Sequence, residues 1–222
     1  SLVKAEMGHS MTRDERADMA AGHGKIILFG EHAVVYGSRA IAAPVPLAVR
    51  ERIVDEKDGV WLAIPRWGVE QRLRSDPAKQ MSAALMLHEL GLADRSMRIE
   101  VYSEIPRAMG LGGSAAVAVA IIRALDRHFK LDLSDDQVNA LAYQCECVAH
   151  GTPSGIDNTV ATYGQPLLFR KGEPPQIQTL NLPEPVNFVI GMTGVESLTA
   201  KMVARVRDGR ERNRDVYDTV IK

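Results

Sequence analysis

Residues 106 to 116 read Pro-Arg-Ala-Met-Gly-Leu-Gly-Gly-Ser-Ala-Ala and run straight into an apolar stretch from Val117 to Leu125. A glycine-dense loop that opens a helix is suited to cradle a phosphate. Gly110, Gly112 and Gly113 let the backbone take positive φ and approach an anion closely. The unpaired amides of the first helical turn then point at the anion with the positive end of the helix dipole behind them. Gly110, Leu111, Gly112, Gly113, Ser114, Ala115 and Ala116 are therefore the candidate phosphate-binding residues. Taken alone, such a loop also reads as a plain turn.

Two further segments carry ionisable residues where a cleft is expected. Gly24 to Gly37 reads Gly-Lys-Ile-Ile-Leu-Phe-Gly-Glu-His-Ala-Val-Val-Tyr-Gly. Lys25 precedes the short apolar run Ile26 to Phe29, and Gly30, Glu31 and His32 follow where a buried strand would open to solvent. A solvated hairpin loop is the bland alternative for the Glu-His pair. Glu146 to Asn158 reads Glu-Cys-Val-Ala-His-Gly-Thr-Pro-Ser-Gly-Ile-Asp-Asn. Before it, Val138, Leu141, Ala142, Cys145 and Ala149 keep helical spacing, and Ser134 with Gln137 forms a capping box. Glu146 and His150 are four apart and share a face of that helix. Gly151 ends it, and Pro153 and Gly155 predict an irregular loop carrying Asp157 and Asn158. Glu146 as a surface carboxylate and Asp157 as an ordinary turn former remain open on these residues alone.

Together, in this order, the three segments resemble the motifs of the GHMP kinases, which phosphorylate small molecules such as galactose, homoserine, mevalonate and phosphomevalonate. Within the family, Phe29 to Gly37 and His150 to Asn158 are most similar to the mevalonate kinase branch, and the resemblance runs from about Gly24 to the helix containing Thr199. It implies ATP and Mg²⁺ as cofactors and a mevalonate-like small molecule as substrate, with γ-phosphate transfer to its primary hydroxyl. It also implies residue roles: Ser114 and Glu146 hold Mg²⁺, Asp157 is the catalytic base, Lys25 neighbours that base, and His32, Glu31 and Thr199 face the substrate. Such chemistry is electrostatic positioning more than covalent help. Another GHMP kinase acting on phosphomevalonate, galactose or another sugar, and a non-catalytic binding module of the same fold, are the alternatives.

The chain departs from the family pattern in three places. The usual Gly-Leu-Gly-Ser-Ser is Gly-Leu-Gly-Gly-Ser, so one hydroxyl contact is lost at Gly113 while Ser114 and the backbone amide remain. Gly22-His23 stands where many members carry a proline before Gly-Lys. The third glycine-rich motif, which the resemblance places in a C-terminal domain, has no counterpart after Asn158. The expectation is a fragment of a longer protein, or a chain that has lost part of the partner domain.

Composition agrees with a globular enzyme. The 222 residues are long enough to bury a substantial core, with 45% hydrophobic and 25% charged residues. A net charge of -1 argues against a nucleic-acid or membrane-surface partner. Neither a membrane-spanning run nor a signal-peptide pattern opens the chain, so a cytoplasmic location is expected. A homodimer is left open. Cys145 and Cys147, two apart on one helix, point to different sides and imply neither a disulfide nor a metal site.

The elements expected to position these residues are a strand from Lys25 to Phe29, strands around Ile41 to Val54 and Val60 to Ile64, and a helix from Ala78 to Leu90. A strand from Met97 to Tyr102, the loop helix Ser114 to Phe129 and the Glu146 helix follow. Strands near Pro166 to Phe169 and Asn187 to Ile190 come next, and a charged helix from Thr199 to Ile221 is last. Strands and helices without strict alternation favour an α+β fold. The resemblance implies a two-layer GHMP N-terminal domain, a ribosomal-protein-like βαβ sandwich, over residues 23–185. It further implies an incomplete ferredoxin-like C-terminal domain over 186–222, with 1–22 as a flexible tail or cloning remnant.

Overall fold

The computed structural model describes residues 19–73, 82–192 and 199–221. In chain order its elements are β1 (Ala20–Phe29), β2 (Arg39–Asp55), β3 (Val60–Ile64), β4 (Val69–Leu73), α1 (Ser82–Glu89), β5 (Met97–Ser103), α2 (Gly113–Phe129), α3 (Asp135–His150), α4 (Ile156–Tyr163), β6 (Leu167–Arg170), β7 (Gln176–Thr179), α5 (Thr199–Arg212) and α6 (Arg214–Ile221). Short 3₁₀ turns lie at Ala33–Tyr36 and Pro65–Trp67. No helix among the described residues is long and apolar enough to cross a membrane.

The strands form one seven-stranded sheet in the order β4-β3-β5-β2-β6-β7, with β1 paired to β2. β2 is the spine. Its first residues pair with β6 and its last with β5, while β1 runs antiparallel along its other edge. Among the described strands only β3 and β5 pair in parallel. Strict alternation along β5 shows why the sheet has two unlike faces. Met97, Ile99, Val101 and Ser103 are buried, whereas Arg98 and Glu100 point to the other face, where Arg52 reaches Glu100 at 2.7 Å and Arg98 reaches Glu70 at 2.8 Å.

Helix α2 is the centre of the apolar layer. Ala115, Ala116, Val119, Ile122 and Leu125 are buried in a cluster with Val49, Ile99 and Val101 of the sheet, to which α1 adds Met86 and Leu87 and α3 adds Val138 and Ala142. A second cluster joins Val34, Ala40, Ala42, Ile156, Val160, Leu167 and Phe169. Small residues on α2 bring β1 very close to it. A Cβ at Gly22 would fall 2.1 Å from the Ala116 carbonyl oxygen, so glycine is required at that strand position. Arg123 of α2 fastens the same junction, donating to the Ala21 carbonyl at 3.1 Å, the Thr162 carbonyl at 2.7 Å and Asp135 at 2.7 Å.

Several expected elements have different bounds. β1 starts at Ala20, so buried Met19 and Ala20 belong to the fold rather than to a tail; residues 1–18 lie outside the described residues. Of the helix expected from Ala78, positions 78–81 also lie outside them. β4 is not expected from the sequence, because its Val-Glu-Gln-Arg-Leu is a polar edge strand. Asp157 and Asn158 sit in the first turn of α4, not in an irregular loop, because Gly155 and Gly164 cap a short helix through positive φ. Residues 187–190 form no strand: Val186, Phe188, Val189 and Ile190 are exposed with no strand beside them among the described residues. The charged helix is two helices, because the Asn213 carbonyl accepts from Tyr217 and starts a new one. Arg210 of α5 lies over the Tyr36 ring at 4.7 Å, and the Ser38 hydroxyl donates to the Ile221 carbonyl of α6. These contacts join the helix pair to the 3₁₀ turn that follows His32.

Glu51 of β2 is an anomaly in this core. It is 1% exposed, and neither carboxyl oxygen has a hydrogen-bond partner among the described residues. Burial pushes its carboxyl well above the ordinary glutamate range. A folded-state value raised above the unfolded one contributes stability that is present at acid pH and lost as the pH rises through the folded value. Denaturant midpoints between pH 5 and pH 8 should therefore fall less for Glu51→Gln than for wild type. At pH 8, Glu51→Leu is expected to be more stable than wild type by about 1–3 kcal/mol. Equal pH slopes in wild type and Glu51→Gln would refute the assignment.

Candidate active site

Four elements bring their functional side chains to the mouth of the glycine loop. β1 carries Lys25 in its interior, 6% exposed, and its backbone N–H donates to the Leu111 carbonyl at 2.9 Å. That bond ties strand to loop. Gly110 and Gly112 take positive φ of 77° and 69°, as expected, but Gly113 does not, because it is already the first residue of α2. A Cβ at Gly112 would stand 2.8 Å from Lys25 Cγ, so the loop backbone lies directly on the lysine stem. At Gly113 a Cβ would meet only Ile105 at 3.5 Å, an ordinary contact, so the family's usual serine would fit there.

Helix α2 begins without a side-chain cap. The Ala116 amide is committed to the Gly112 carbonyl at 3.0 Å, whereas the amides of Gly113, Ser114 and Ala115 have no acceptor among the described residues. These three form the free end of the helix dipole. The Leu111, Ala115 and Ala116 side chains are buried, so of these loop residues they offer a ligand backbone atoms only.

Ser114 lies in that first turn and its hydroxyl donates to Glu146 Oε1 at 2.7 Å. Glu146 is buried at 4% exposure, which removes the surface-carboxylate reading. Burial pushes its carboxyl above the ordinary range, opposed by the Ser114 hydroxyl and by His150, whose Nε2 stands 3.7 Å from Oε2. Asp157 and Lys25 also act on its charge, so all five groups share one electrostatic site. Lys25 Nζ meets Asp157 Oδ1 at 3.1 Å, with the Asp157 side chain 28% exposed, and Oδ2 makes no bond among the described residues. Asp157 is thus held on one oxygen and open on the other.

α4 is aimed by contacts that sequence spacing does not reveal. Buried Asn158 donates through Nδ2 to Asn139 Oδ1 at 2.6 Å, fixing the first turn of α4 against α3. The capping box of α3 forms as expected, with Ser134 accepting from the Gln137 amide and Gln137 accepting from the Ser134 amide. Gly151 closes that helix with its N–H on the Cys147 carbonyl. Cys145 and Cys147 are both free; burial raises the Cys145 thiol to about 12.

The expected substrate residues are His32, Glu31 and Thr199. His32 opens the 3₁₀ turn at a φ of 60°, half-buried, and Glu31 is exposed. No hydrogen bond joins either to Lys25 or Asp157 among the described residues. Thr199 begins α5, and its side chain lies outside the described residues.

Residues 78–165 match the GHMP kinases N terminal domain. A mevalonate kinase of Archaeoglobus fulgidus is 34% identical over 203 residues, covering 91% of this chain and 67% of its own length. The chain belongs to the GHMP kinases. A mevalonate kinase of Thermococcus sibiricus is 32% identical over 221 residues, with 91% of this chain and 65% of the relative covered. Among solved structures, the L. major mevalonate kinase in complex with R-mevalonate is 29% identical with a TM-score of 0.67, covering 91% of this chain and 64% of that one. The chain thus spans just under two thirds of the Thermococcus relative it resembles.

Contact between loop and lysine stem makes a stability test possible. Gly110→Ala meets open space and suffers only the positive φ, an expected loss of about 1–2 kcal/mol. Gly112→Ala carries the same strain plus the clash with Lys25, so its denaturant midpoint should fall further. Equal losses would show that the loop does not rest on the lysine.

Proposed function

We propose that the whole protein is an ATP-dependent kinase that transfers the γ-phosphate of ATP to the primary hydroxyl of mevalonate. The observation that carries this reading is the convergence of the Ser114–Glu146 and Lys25–Asp157 pairs at the free amide end of α2. Sequence likeness to mevalonate kinases supports the substrate. In this reading residues 23–185, extended back to Met19, form the nucleotide-binding domain, and 186–222 begin the next.

The donor set suits Mg²⁺. A hydroxyl and a buried carboxylate 2.7 Å apart are hard oxygen ligands, and Mg²⁺ takes one or two protein carboxylates with phosphates and water. Burial disfavours charge on Glu146, so a cation beside it offsets that cost. When bound, Mg²⁺ neutralises charge on the β- and γ-phosphates.

The chain's own groups do the rest. The amides of Gly113, Ser114 and Ala115 hold the phosphates at the helix end. The substrate hydroxyl oxygen bonds to the γ-phosphorus as the bond from phosphorus to the β–γ bridging oxygen breaks. ADP leaves, and the hydroxyl proton passes to Asp157, whose Oδ2 is open. Lys25, fixed by strand and loop, holds Oδ1 and stabilises charge developing on the attacking oxygen. His32, Glu31 and Thr199 are assigned to the substrate on the family resemblance.

A coupled assay of ATP turnover in the whole protein, run with mevalonate, phosphomevalonate, galactose and homoserine, tests the substrate; turnover only with a substrate other than mevalonate would reject it. Asp157→Asn should lower kcat by about 10² to 10⁴ with little change in ATP affinity. Lys25→Met should lose a comparable amount, and near-normal turnover in either variant would remove that residue from its role.

A further inference from the structure

Each oxygen of the Glu146 carboxylate faces a side chain, with a hydrogen bond at Oε1 and a longer contact at Oε2. Ser114 of α2 donates to Oε1 at 2.7 Å, and His150, one turn further along α3, presents Nε2 to Oε2 at 3.7 Å. The two positions are fixed independently. Ser114 follows the loop, whereas His150 is the last residue of α3, where the Gly151 amide closes the helix on Cys147. The imidazole belongs to neither apolar cluster, and the Glu146 oxygen is the only side-chain partner it makes among the described residues. Its packing therefore gives no account of it, while its distance to Glu146 does.

A glutamate's terminal torsion is broad, so a carboxylate bonded at one oxygen can still turn its plane about that contact. We propose, resting on the metal-holding role assigned above to Ser114 and Glu146, that His150 is a positioning residue: standing 3.7 Å from Oε2, it limits rotation of the Glu146 carboxylate plane so that the oxygen beside the Ser114 hydroxyl stays turned to the phosphate loop. Neither the loop nor Glu146 alone sets that orientation. Partners that orient a ligand from behind in this way are worth about 10- to 100-fold in metal affinity.

Calorimetric titration of the chain with ATP, with and without Mg²⁺, tests this without any turnover. In His150→Ala the gain in ATP affinity conferred by Mg²⁺ should shrink about tenfold, with metal-free ATP binding unchanged. His150→Gln, which keeps a neutral donor within reach of Oε2, should recover most of the gain. Glu146→Gln should abolish it. The positioning role is overturned if His150→Ala keeps the full gain while Glu146→Gln loses it. It is equally overturned if His150→Ala weakens binding as much without Mg²⁺ as with it, or if the glutamine variant fares no better than alanine. A Glu146→Gln chain that responds to Mg²⁺ like wild type would instead bring down the metal reading itself, and the positioning role with it.

Discussion

Everything at the site depends on how closely β1 lies against the start of α2. Gly22 has no room for a side chain under the Ala116 carbonyl, the Lys25 amide donates to the Leu111 carbonyl, and Gly112 rests on the lysine stem. These three contacts, spaced along one strand, lock the register of strand against loop. A displaced β1 would carry Lys25 away from Asp157 and the loop away from its helix. Small residues are needed at both surfaces because the approach is between backbones, where only hydrogen can be accommodated.

Burial gives the charged groups their leverage and also their cost. Lys25 and Glu146 are both nearly inaccessible, yet each faces an opposite charge or a hydroxyl, so the desolvation penalty is offset locally. Glu51 is the counter-example in the same fold. It is as buried as Glu146 but meets no partner among the described residues. The contrast lies in the surroundings: Glu146 lies where a loop, a serine and a histidine converge, whereas Glu51 lies within the paired interior of β2.

Much of this was legible along the chain, for particular reasons. The capping box at Ser134 and Gln137, the stop at Gly151 and the shared face of Glu146 and His150 are set by neighbours within four residues, so local spacing suffices. Gly110 and Gly112 were likewise readable as positive-φ positions. Local signals misled where a tertiary partner decides the outcome. Residues 187–190 have the composition of a strand but no neighbour to pair with among the described residues, and β4 is a strand despite its polar residues because β3 lies beside it. In α4, the Pro-Ser-Gly signals were correct about a break but concealed the helix that starts immediately after it.

By itself, the sequence determined the types of the ionisable groups, the glycine loop that opens a helix and the order in which they occur, because those depend on residue chemistry and short spacing. Tertiary structure alone decided that Lys25 meets Asp157 and Ser114 meets Glu146, which lie far apart along the chain. It also decided that Asn158 clamps α4 to α3 through Asn139, and that Arg123 ties β1, α3 and α4 together. Pairings of this kind follow from how β1 and three helices pack, and no periodicity within a single element records where another element will come to rest.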